Sequence, residues 1–140
     1  MRALTFAAAV LLCVVTLACD KPAPRHALPN HGLIGFIDSP AAGSTVGPVF
    51  LVTGWAVGRE GVERVRIYLD DELVATTPIT VPRPDIDREY PRYASTGPNH
   101  GFGTTVDAGA RAGYRTIRVE AVDKRGSAVH VASATVKIEP

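Results

Sequence analysis

The sequence predicts an all-β protein, an antiparallel sandwich of about seven short strands with one long proline-rich loop. Three observations lead there. Apolar residues recur with period two, turn-forming clusters separate the apolar runs, and no segment carries a helical stripe longer than two turns. From Leu33 to Pro140 the chain is long enough for one domain with its own core.

The domain is preceded by two other segments. Residues 1–18 read as a signal peptide: Arg2 supplies a basic start, and Ala3 to Ala18 is almost wholly apolar yet shorter than the roughly 20 residues of a membrane span. The small Ala18 directly before Cys19 resembles the lipobox of bacterial lipoproteins, in which the cysteine thiol is diacylated and the peptide is cut in front of it. Thr16 stands where the lipobox usually has leucine, so the alternative is ordinary cleavage after Ala18 and a soluble secreted or periplasmic chain. Of the two cysteines, Cys13 leaves with the leader, so Cys19 remains alone and no internal disulfide is expected.

Arg2 is the leader's one charged residue. Without it, fourteen Lys and Arg face fourteen Asp and Glu, and the formal charge is zero. A chain without a basic surplus is not built to neutralise phosphates, which excludes nucleic acid as the expected partner and a polybasic hold on anionic lipid. The membrane is therefore expected to be reached through the lipid on Cys19.

Residues 19–32 hold the lipid-bearing cysteine and then "DKPAPRHALPNHG", a proline-rich polar stretch that reads as a semi-rigid tether. His26 and His31 lie in it. They are read as solvated tether residues, because no third ligand of a metal site is near in sequence.

The strands of 33–140 follow from local pattern. "PVFLVTGWAV" is apolar on both faces, as suits a central strand. "ERVRIYLD" turns Val65, Ile67 and Leu69 to one side and Arg64, Arg66 and Tyr68 to the other; "YRTIRVEAVD" repeats this, with Ile117, Val119 and Ala121 inward and Arg118 and Glu120 outward. In "AVHVASATVKI" the apolar set shifts from odd numbers (Val129, Val131) to even (Val136, Ile138), which predicts a bulge near Ala132 to Ala134. "DSPAAGST", "GREG", "DDE", "DAGARAG" and "DKRGS" supply the turns.

The blocks "GWAVGREGVERVRIYLDDELV", "RPDIDREYPRY", "HGFGTTVD" and "AGYRTIRVEAVDKRG" together resemble the immunoglobulin-like domain of many bacterial secreted and surface proteins, over about Gly35 to Ile138. The family's blocks are GWA, V-x-V-Y-x-D-G, RPDV, YP, GF and G-x-H-x-I-x-V-x-A-x-D-x-x-G. Asp71 stands where the family's hairpin has glycine, which questions the turn type, and Arg115 stands where it has histidine. The resemblance implies an immunoglobulin-like sandwich and no activity, since such domains serve as appended spacers or binding modules.

The chemistry-rich stretch is "RPDIDREYP", inside a connection from about Pro78 to Gly101 that holds Pro78, Pro82, Pro84, Pro91 and Pro98. It reads as a brace. Asp85 is expected to cap a single helical turn that Pro91 ends, with Ile86 and Tyr90 sharing the face that docks on the sandwich, and Arg83 and Arg88 pairing with the acids. Asp85 and Asp87, two residues apart, point to nearly opposite sides of a turn and cannot form the close carboxylate pair of a glycosidase or aspartic protease. The functional alternative is a binding loop using Arg83, Asp85, Asp87, Tyr90 and Tyr93, with calcium as the ligand that hard carboxylate oxygens would take. No cofactor and no metal site is otherwise expected. Trp55 is either an aromatic platform for a sugar or, flanked by Gly54 and Ala56, a core plug with its indole N–H tied to a carbonyl.

The sequence holds no G-x-S-x-G, H-E-x-x-H, Walker loop or C-x-x-C, and His100 and His130 have no nucleophile at a suggestive spacing. The expectation is a chain that is not an enzyme: an envelope-tethered interaction or spacer module, a lipoprotein whose partner is an envelope protein. The alternatives are a carbohydrate- or peptidoglycan-binding sandwich, which needs Tyr90, Tyr93 or Trp55 exposed in a groove, and a small hydrolase, which needs a deep pocket holding His100 with a carboxylate.

Overall fold

The structure, a computed structural model, describes residues 32–140. The expected leader, Cys19, His26 and His31 lie outside the described residues. The expected strands form, and the outward polar and inward apolar sets fall as the alternation requires. Seven long strands are joined by two of two residues each: β1 (Ile34–Ser39), β2 (Thr45–Val46), β3 (Val49–Val57), β4 (Val62–Leu69), β5 (Glu72–Pro78), β6 (Val81–Pro82), β7 (Asn99–Asp107), β8 (Gly113–Asp123) and β9 (Ala128–Ile138). Between β6 and β7 lie a short helix, α1 (Pro84–Glu89), and a 3-10 turn, Pro91–Thr96.

One sheet has the order β1-β3-β7-β6 and the other β2-β9-β8-β4-β5. The pairs are antiparallel except β2 with β9, which run parallel. The fold is an immunoglobulin-like β-sandwich. Its core lies between the sheets and gathers the inward residues of both, among them Val52, Phe102 and Val106 from one and Val65, Ile67, Ile117, Val119 and Val136 from the other. Among the described residues no helix is long and apolar enough to cross a membrane.

Three expectations about strands and turns are refined. The bulge in β9 sits one residue earlier than predicted, at Val131: Val119 pairs with Ala132 and Glu120 with His130, so Val131 is the extra residue. β3 is central, between β1 and β7, but it is apolar and covered on both faces only in its second half; Val49 and Leu51 are 57% and 54% exposed. In the β4–β5 hairpin the left-handed residue is Asp70 (φ 56°), not Asp71. Asp70 holds that conformation with its carboxylate, which accepts from Thr116 N–H at 3.0 Å and from Arg115 at 3.3 Å. Arg115 therefore serves the hairpin end. On the outer face of the five-stranded sheet Arg66 lies across from Glu120 and donates to it at 3.0 Å, while Arg64 pairs with its neighbour Glu63.

Candidate functional site

The long connection folds back over the outer face of the four-stranded sheet. Arg83 precedes α1 and Pro84 takes its first position, where the missing N–H costs nothing. Pro91 has no N–H to continue the helix, so Tyr90 closes it by donating to Ile86 O at 2.8 Å, and the 3-10 turn begins. This wrapping creates a second apolar cluster, separate from the main core, made of Trp55, Val57, Ile86 and Tyr93 with Ile34 and Tyr90 against it.

Trp55 is 9% exposed and Tyr93 5%. The Tyr90 ring lies over Trp55 with centroids 5.3 Å apart and planes tilted by 39°. Tyr93 reaches deeper, and its hydroxyl donates to Gly32 O at 3.1 Å, tying the loop to the start of the domain. Trp55 is thus a plug beneath the loop and not an open platform. No described residue accepts from its indole N–H, so the expected tie to a carbonyl is not seen.

Two glycines of the motif blocks acquire a physical reason here. A Cβ on Gly54 would strike the carbonyl oxygen of Phe36 and the Phe102 ring, so the strands close up only around a bare Cα. A Cβ on Gly101 would come within 2.9 Å of Val81 Cβ and 3.1 Å of Arg83 Cγ; its absence makes the bed on which the Arg83 side chain lies.

Arg83 joins three elements. Its Nε and Nη2 donate to the Asp85 carboxylate at 2.9 and 2.7 Å, and its Nη1 donates to Asp38 on β1 at 2.6 Å. The guanidinium bonded to Asp85 holds that carboxyl well down, to about 2, and the two acids raise Arg83 in turn. This corrects the expected role of Asp85: it sits inside the first turn and pairs with Arg83, and α1 has no side-chain cap. Asp87 is also partnered differently than expected. Its carboxylate accepts from His100 Nε2 at 2.8 Å, and Arg88 makes no ion pair with either acid among the described residues.

His100, 3% exposed, was the histidine without an evident partner in sequence. It lies in a bulge of β7, where Val81 pairs with Gly101 and Pro82 with Asn99, leaving it as the extra residue turned toward α1. Asp38 and the depth of Tyr93 were likewise missed. Both oxygens of Asp85 accept from Arg83, and one oxygen of Asp87 accepts from His100. His130, on the exposed edge, donates from Nε2 to Ala132 O at 3.0 Å.

No protein family and no curated protein matches the chain by sequence. Solved structures of similar fold include the fibronectin(III)-like modules of Clostridium thermocellum CbhA, at 20% identity and TM-score 0.46, covering 75% of this chain and 94% of that one. CopC from Methylosinus trichosporium OB3b has 19% identity and TM-score 0.39, covering 76% and 94%. A lytic polysaccharide monooxygenase of Jonesia denitrificans has 11% identity and TM-score 0.48; the match covers 71% of this chain and 60% of that one. This last finding corrects the expectation that the chain is not an enzyme.

Proposed function

We propose that the chain is an exported interaction or spacer module, held at the bacterial envelope by lipid on Cys19 and raised from the membrane by the tether of residues 20–32. Its partner is another envelope protein, met through a face of fixed shape. The observation that carries this reading is the direction in which the loop spends its side chains. Trp55, Ile86 and Tyr93 pack inward, and Arg83, Asp85, Asp87 and His100 bind one another, so the loop is a braced surface and not an open cup. Of the rings that a glycan would need for stacking, Trp55 and Tyr93 are buried and Tyr90 is half-buried against Trp55, which favours a protein partner over a carbohydrate.

The anchor is tested by fractionation of cells. Cys19→Ala should move the protein from the membrane pellet to the soluble fraction, and the natural chain should take up labelled fatty acid. A Cys19→Ala chain that still pellets, with no label on the natural chain, overturns lipid anchoring.

A further inference from the structure

β1 is the outermost strand of its sheet, and β9 has β8 along one side but only the two residues of β2 along the other. Backbone groups of alternate residues in a strand point the same way. Thr135 accepts from Gly43 N–H at 2.7 Å and Lys137 N–H donates to Ser44 O at 2.9 Å, both on the side of β2. Ser133 therefore turns its N–H and C=O to that side too, where no described strand meets them. Between this edge and β1 runs a groove of about 410 Å³, walled by Gly35 and Phe36, by Ala41 and Ala42, and by Ala132 and Ser133. Its one ionisable lining residue, Asp38, is already paired with Arg83. Phe36 stands 57% exposed at the rim.

We infer that this groove takes an extended strand of a partner protein, added to the edge of β9 and carrying uncharged apolar side chains toward the groove. The inference rests on the reading of the chain as an interaction module, and it names the surface and the form of the partner. Three features select that occupant. The chain already lays β2 on the same edge, so the added strand continues a ladder that exists. What the edge offers is main chain, which only another extended main chain complements. The small side chains leave space for large ones, and the groove supplies no counter-charge for an acid or a base.

The experiment uses the protein purified from envelopes and, as probe, a nine-residue peptide alternating valine with threonine, read by hydrogen exchange across residues 128–138. The peptide should slow exchange there saturably. The same peptide with lysine for valine, or with proline at its centre, should bind at least about tenfold more weakly. Ala42→Trp, which fills the groove from an exposed position on the loop after β1, should weaken the valine peptide by a similar factor. So should Ser133→Pro, which removes one outward donor. Three results overturn the inference: no slowing at about 1 mM peptide, slowing confined to Val49 and Leu51 on the open sheet face, or binding indifferent to both variants. Pairing of β9 with a second copy, seen as a dimer by light scattering that the peptide cannot displace, overturns it as well. Failure here leaves the fractionation of Cys19→Ala unaffected, so the two readings fail separately.

Discussion

The two halves of β3 meet different surroundings. Val49, Leu51, Trp55 and Val57 all point from the outer face of the same sheet, yet the first two are exposed and the last two are buried. The cover over the second half comes from Ile86, Tyr90 and Tyr93, some thirty residues further along the chain. Period two decides which side of a strand a residue takes, and says nothing about whether that side is roofed. The outer cluster is thus a long-range structure laid on an ordinary strand. It can be broken without altering the strand itself.

The largest effect is expected at the roof. Trp55→Ala should cost about 3 to 5 kcal/mol in a urea melt, because it leaves a cavity that the loop cannot fill, whereas Leu51→Ala on the same face should stay within about 0.5 kcal/mol. Equal losses would mean that the bare half is covered in the whole protein. Tyr93→Phe sharpens the contrast by removing only the hydroxyl bonded to Gly32 O, at about 1 kcal/mol.

Next comes the pair that fixes α1 to β7. His100→Ala strips Asp87 of its partner and should cost about 1 to 3 kcal/mol, with the exchange protection of α1 falling most. Asp87→Asn should be milder, since an amide oxygen still accepts from Nε2. If calcium held the loop, Asp87→Asn would be the worse of the two, and a chelator would lower the Tm of the unaltered protein.

This comparison also separates what was legible in the sequence from what was not. The inward sets of β4 and β8 are local alternations, and the pairing of Arg66 with Glu120 follows once these strands are neighbours. The loop's own turn was legible through its prolines, and Ile86 through its place four before Tyr90. Asp85 was misassigned because a carboxylate near a helix start has two uses, and its choice of Arg83 over the backbone depends on where the guanidinium lies. The link from Asp87 to His100, and from Arg83 to Asp38, joins segments whose approach is set by the sheet order, and nothing near either residue announces it. Gly101 was the available signal: glycines in strands mark close approach, and here it marks where Val81 and Arg83 lie against β7.

A smaller effect is expected at Arg83 and Asp85, and it has a pH signature. The folded carboxyl of Asp85 lies near 2, below its ordinary value near 3.8. A group depressed in the folded state stabilises above its unfolded pKa and loses that contribution as pH falls through its folded one. The contribution of Asp85 should thus be whole above about pH 4 and fade toward pH 2. Asp85→Asn and Asp85→Ala should be mild to a similar degree at pH 7, because both lose the charge that Arg83 binds, and both should flatten the acid limb of a Tm-against-pH curve. A capping role would instead keep Asp85→Asn close to the unaltered protein and make Asp85→Ala clearly worse.

The smallest effect is expected on the other sheet, where no described residue forms a roof. Glu120 accepts from Arg66 at 3.0 Å on the outer face of the five-stranded sheet, and Arg118 lies over the Tyr68 ring beside them, 4.5 Å from its centroid. The Arg66 side chain is 35% exposed and that of Glu120 19%, so water screens part of the attraction between them and replaces part of it when it is removed. Glu120→Ala should shift Tm by less than about 3 °C, and added salt should shrink even that difference. The measurement belongs in intact envelopes as well as in solution. A small shift in solution that grows in envelopes would show this face to be covered by a partner there, as Ile86 and Tyr93 cover Trp55 within the chain, whereas a large shift in solution would mean that the pair is not the solvated cross-strand contact its exposure implies.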